Sequence, residues 1–163
     1  MTYFLRTLGF VWLLPATIIT WAVYVLPLWA FGCIKWDGWH SYLIARFKLV
    51  NNDGWYARAW RDWAGWGGPC VMILKDLPTE LDDRWVEVTE KHESRHCIQQ
   101  FLLGILFHII YGVDLIYLWL FRKDKHAYLD NFLERDARQY AGQRVDIPRS
   151  EWPQGPNDRW PWW

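Results

Sequence analysis

Residues 7–34, TLGFVWLLPATIITWAVYVLPLWAFGCI, run for 28 positions without a charged side chain. A helix of about 20 apolar residues crosses a hydrocarbon core, so the stretch is long enough to span a membrane. A transmembrane helix is the expectation. A secretory leader is the competing reading, but leaders carry an apolar region of about 7–15 residues and a small-residue cleavage site, and neither is present. Pro15 and Pro27 are expected to kink or end the helix, with Trp12, Trp29, Trp36 and Trp39 as anchors near either surface.

The composition agrees with a membrane setting. Trp occurs 15 times in 163 residues, beside 8 Tyr and 8 Phe, and Trp and Tyr favour places where one end is apolar and the other wet. The 18 basic and 18 acidic residues cancel, and no basic run exceeds the pair Arg122-Lys123, which argues against nucleic acid as the main partner. Three cysteines, at 33, 70 and 97, form no C-x-x-C pair and no even set, so they outline no disulfide scaffold. Lys35, Arg46 and Lys48 follow the apolar run while only Arg6 and the amino terminus precede it, which places the remainder of the chain in the cytoplasm by charge bias.

Three units are expected: a membrane anchor over 1–35, a folded domain over 36–145, and a Trp- and Pro-rich tail over 146–163. Within the domain, SYLIARFKLV and the apolar run in GGPCVMILKDLP read as strands, with NNDG as a turn. WYARAWRDWAGWGG suits a short interfacial helix or a surface loop that touches lipid headgroups, with ordinary core packing as the alternative. A helix is expected to begin at 78–82, with Thr79 as its cap, and another to cover about 128–141. The tail holds four Pro and four Trp in 18 residues and cannot fold by itself. The fold class is thus mainly α with a small β-sheet, α+β, behind an N-terminal transmembrane helix.

Inside the first of these helices stands HESRHCIQQ, residues 92–100. His92 and His96 are separated by one helical turn, so both imidazoles can reach one metal ion, with Glu93 between them as a base. With five His in the chain, chance would produce this pattern in roughly 0.5% of sequences of this composition. Catalytic zinc commonly takes three protein ligands and keeps one position for water, and Glu134, on the later helix, is the best third ligand. Gln100 extends the His92–His96 face by a further turn, and Asp130 precedes Glu134 by one; both are candidates to support the ligands.

The chain resembles the gluzincin class of metallopeptidases, in which a second helix after H-E-x-x-H supplies a glutamate. It is most similar to small HExxH proteins with the pattern H-E-x-x-H-x-x-Q, then L-G-x-L-F, then N-x-x-E-x-x-A-R, here HESRHCIQ, LGILF and NFLERDAR, over about residues 79–142. The resemblance implies a minimal zincin-like fold, Zn²⁺ held by His92, His96 and Glu134, and Glu93 as the general base in hydrolysis of a protein or peptide substrate. It also implies an edge strand that receives an extended substrate, for which residues 70–74 are the candidate. Thermolysin-type members carry an aspartate four residues after the ligand glutamate; here that residue is Arg138. Tyr128, Tyr140, His126 and His108 are candidates for the oxyanion-stabilising group.

The motif constrains the topology. Were residues 101–121 to cross the bilayer, the histidines and Glu134 would lie on opposite sides, and no shared site could form. His108, Gly112 and Asp114 also make a costly span, so a re-entrant or interfacial helical hairpin is expected, with the lipid bilayer as partner. Asp114 would then cap a helix end or face the metal. Two alternatives stay open. One is a non-catalytic membrane or viral-assembly protein that keeps a zincin-like core. The other is a two-span protein whose HExxH is accidental. Glu93 argues for the enzyme, since a structural zinc site needs no such base and prefers four protein ligands, while Cys97 lies about 140° round the helix from His92.

Overall fold

The computed structural model describes residues 3–41, 44–50, 65–75 and 83–152. It is a mixed α/β protein with a four-stranded sheet in the order β1-β2-β4-β3. The strands are β1 (Ile34–Ser41), β2 (Ile44–Leu49), β3 (Gly65–Gly68) and β4 (Val71–Lys75). β2 and β4 pair in parallel, and the outer strands are antiparallel to them. Residues 71–74 of the candidate substrate strand therefore fall on β4, which is interior; β1 and β3 are the edges. VMIL in β4 is buried on both sides of the sheet, which is why it reads as a continuous apolar run.

Helix α1 (Tyr3–Thr20) continues through a π-helical turn (Trp21–Val25) into α2 (Leu26–Ala30). Pro15 is accommodated inside α1, and Pro27 does not end the helix. Proline lacks the N–H for the preceding turn and its ring crowds that turn's carbonyl; widening the turn just before Pro27 relieves both problems. The helix ends instead at Gly32, which takes φ +66°, while the Cys33 N–H reaches the Leu28 carbonyl at 2.8 Å.

This N-terminal helix passes the turn between β3 and β4. Leu13 packs with Met72, Leu74, Cys97 and Phe101 on one side of the sheet. Val25 and Leu28 pack with Phe47, Val71 and Ile73 on the other. Between them Thr17 donates to the Cys70 sulfur. The outward row, Val11, Ile18, Ile19, Val23 and Leu26, is apolar and exposed, whereas Thr17 and Thr20 are buried. That is the inverse of the usual soluble pattern. Residues Val11–Ala30 are long and apolar enough to cross a membrane.

Helix α3 (Asp83–Leu103) runs along β3 and is followed by α4 (Leu106–Phe121), with a bend of 114° at the break. Gly104 makes the bend at φ +59°, and a Cβ there would also overlap the Trp12 indole of α1. The second apolar stretch is accordingly an elbow, not a straight rod. Helix α5 (Phe132–Ala141) then returns along α3. Its start lies later than residue 128 because Asn131 caps it, accepting from the N–H groups of Leu133 and Glu134. Asp114 accepts from the Phe132 N–H at 2.9 Å, which assigns it the helix-end role.

The expected helix start at 78–82 and the NNDG turn lie outside the described residues. So do most of the WYARAWRDWAGWGG segment, whose last residues form β3, and residues 153–163 of the tail.

Candidate metal centre

The middle of α3 carries His92 and His96, and the first turn of α5 carries Glu134. One ligand atom from each lies within 4.8 Å of the others. The His92 and His96 Nε2 atoms stand 3.2 Å apart, and each is 3.3 Å from an oxygen of Glu134. All three side chains are buried, at 5%, 6% and 4% exposure. The histidines and Glu134 thus share one site, an arrangement that a crossing by 101–121 forbids.

The tautomers are fixed from behind. His92 Nδ1 meets Gln143 Oε1 at 2.9 Å, and His96 Nδ1 meets Gln99 Oε1 at 2.8 Å. An amide oxygen can only accept, so both Nδ1 atoms carry the proton and both Nε2 lone pairs point into the cluster. Glu134 Oε1 accepts from the Tyr111 hydroxyl at 2.8 Å, whereas its buried Oε2 accepts no hydrogen bond. A buried carboxylate oxygen facing an imidazole lone pair is unfavourable unless a proton or a cation lies between. Two neutral imidazoles and a carboxylate make a donor set for a divalent transition metal, and these residues could hold one.

Without such an ion a proton takes its place. Burial opposes a charge on His96, but the Glu134 carboxylate beside it, helped by Glu93 and Gln99, raises its pKa to about 9. Burial likewise opposes charge on Glu134, yet the two imidazoles hold its pKa well below the ordinary carboxylate range.

Glu93 lies against the sheet edge. Burial raises its pKa, partly offset by His92 and His96 and by a hydrogen bond from the Gly67 N–H. The Gly67 carbonyl accepts from Gln100 Nε2 at 2.9 Å. Both edge groups of Gly67 are therefore taken by α3 side chains seven residues apart. The approach is so close that a Cβ on Gly67 would overlap the Glu93 carbonyl, and one on Gly65 would lie 2.9 Å from Glu93 Cγ. Glycine is required at both positions by the distance between strand and helix.

Two expected supports lie elsewhere. Gln100 holds β3 and not a histidine; its neighbour Gln99 does that work, with its Nε2 donating to the Leu133 carbonyl and to Asp136. Asp130 precedes the cap of α5, where it accepts from the His126 N–H and pairs with Arg135 and Lys125. Among the four oxyanion candidates, Tyr128 sits beside Glu134, and burial together with that carboxylate pushes its phenol well above the ordinary range. Tyr140 lies under the Arg95 guanidinium, His126 against Trp152, and His108 against Phe107. Arg138, where thermolysin-type chains have aspartate, is wholly buried near Tyr128 and Glu134.

Gln143, Tyr111 and the glycines of β3 contact residues of the site, and the sequence reading did not single them out. No protein-family model, curated protein or solved structure matches the chain.

Proposed function

We propose that the protein is a membrane-anchored zinc-dependent metallopeptidase, gluzincin-like in its ligands, with a minimal zincin-like domain. The observation that carries this reading is that His92, His96 and Glu134 converge on one buried point, while Glu93, buried beside them, is not part of the trio. A purely structural zinc site prefers four protein ligands to three, and Glu93 stands beside the trio and outside it.

His92 and His96 would hold the ion through Nε2, kept in register by Gln143 and Gln99, and Glu134 would complete the set with an oxygen. When bound, zinc supplies a Lewis acid that polarises the scissile carbonyl and makes water more acidic. Glu93 then works as general base and acid, taking a proton from water and passing it to the leaving amine. Its raised pKa, a result of burial, brings it nearer to neutrality than an exposed glutamate, as such a role needs.

The N-terminal helix serves as a single-pass anchor, and α4 lies in the interface with its outer row, Leu106, Ile109, Val113, Ile116 and Leu120, in lipid. Charge bias favours a cytoplasmic domain. The substrate is a protein or peptide presented near the bilayer surface. The test is Glu93→Gln: zinc is retained, and cleavage of a quenched-fluorescent peptide pool by the detergent-solubilised protein is abolished. Turnover surviving in that variant contradicts the role of Glu93.

A further inference from the structure

We propose that Tyr111 is a positioning residue for the metal centre: by donating to Oε1 of Glu134 it leaves Oε2 as the oxygen presented to the ion. The inference rests on the metal-binding reading above and deepens it.

The two carboxylate oxygens are not equivalent. Oε1 takes the Tyr111 hydroxyl at 2.8 Å and lies 3.3 Å from His96 Nε2, and the Tyr128 phenol also hydrogen-bonds this carboxylate. Oε2 is buried, accepts no hydrogen bond and lies 3.3 Å from His92 Nε2. A carboxylate with one oxygen engaged by a phenol binds a metal through the other; one with both oxygens free can swing to bind through both, raising the coordination number.

The phenol is delivered with precision by backbone contacts on either side of it. Asn131 accepts from the Glu134 N–H through Oδ1 and donates through Nδ2 to the Tyr111 carbonyl at 3.1 Å, so one side chain locates both partners. Three residues after Tyr111, Asp114 binds the Phe132 N–H. Four before it, Phe107 is buried with its ring 5.8 Å from that of Tyr111 and 6.1 Å from that of His96. The inward row of α4 is thus fitted to the start of α5, while its outward row is apolar and exposed. Tyr111 is where the membrane-facing helix reaches the metal ligand.

The experiment compares full-length wild type, Tyr111→Phe and Tyr117→Phe in the same detergent. Tyr117 is exposed on the same helix and serves as the control. Zinc affinity is measured by chelator competition, cobalt(II) loading by visible absorption, and metal-free melting by circular dichroism. Tyr111→Phe is expected to fold, with metal-free stability lowered by less than its zinc affinity, to bind zinc about 10- to 100-fold more weakly, and to show weaker cobalt bands, because a higher coordination number lowers their intensity. Tyr117→Phe is expected to match wild type throughout. Unchanged affinity and an unchanged cobalt spectrum in Tyr111→Phe overturn the proposal. So does an affinity loss accompanied by an equal loss of metal-free stability, which would make the hydroxyl merely structural. A wild type that binds neither metal removes the metal reading itself, and the positioning role with it.

Discussion

Gln99 Nε2 lies 2.7 Å from Asp136 Oδ2, and this contact decides which end of the amide faces His96. Asp136 is ionised, held low by Arg95 at 2.7 Å, and can only accept; the Gln99 NH₂ must therefore point to it, and the amide oxygen must point to His96 Nδ1. Gln99→Ala leaves that N–H without its partner and frees the ring. Its zinc affinity should fall about 10- to 100-fold in chelator competition. Affinity equal to wild type would show that the ring is held by packing alone.

A second prediction concerns the glycines. Gly67→Ala places a methyl group on the Glu93 carbonyl and should destabilise the protein by about 2 kcal/mol. Gly112→Ala, in α4, meets nothing within 4 Å and should be neutral or stabilise by up to about 1 kcal/mol. Chemical denaturation checks both, and similar effects at the two sites would contradict the close strand–helix approach.

The pH dependence follows from His96. Its pKa of about 9 lies above the ordinary 6.5, so the metal-free protein gains stability from the His96–Glu134 pair that is fully present below pH 6.5 and fades as pH rises through about 9. Metal must displace that proton. Apparent zinc affinity should climb about tenfold per pH unit from neutrality toward that pKa, with about one proton released per ion at neutral pH. Calorimetry in buffers of different ionisation enthalpy measures the proton count; a value of zero would contradict the pair.

The proposed interfacial position of α4 is open to labelling. Cys33, Cys70 and Cys97 are all buried, so introduced cysteines report with little background. In proteoliposomes, Val113→Cys and Ile116→Cys should react with an impermeant maleimide at least about tenfold more slowly than Asp124→Cys, as expected for a face sunk in the interface. Equal rates would place α4 in water.

The His92–His96–Glu134 cluster was legible in the sequence because most of its signal is local. His92 and His96 are one turn apart on one helix, and Glu134 lies on the later helix expected at about 128–141. What supports them was less legible. Gln99 and Gln100 are both neighbours of His96 on a helix surface, at i+3 and i+4, and the choice between them depends on where Leu133 and Asp136 lie, which only tertiary structure settles. Gln143 reaches His92 because Gly142 turns the chain at φ +76°, a direction no periodicity reveals. Tyr111 depends on the elbow at Gly104. The glycines of β3 read as turn punctuation, since a close approach has meaning only once the partner is known. Strand β1 went unread because IKWDGWHS carries charges and irregular burial, and bulges next to Gly38 and Ser41 break its alternation; its pairing with β2 makes it a strand.

The central claim is that His92, His96 and Glu134 hold one zinc ion on one side of the membrane. Elemental analysis of the detergent-purified protein tests it most directly, comparing wild type with His92→Ala and Glu134→Ala after identical dialysis. The account predicts about one zinc per chain in the wild type and loss of most of it in both variants. Wild-type protein without zinc after reconstitution, or a Glu134→Ala variant with undiminished zinc, would contradict it.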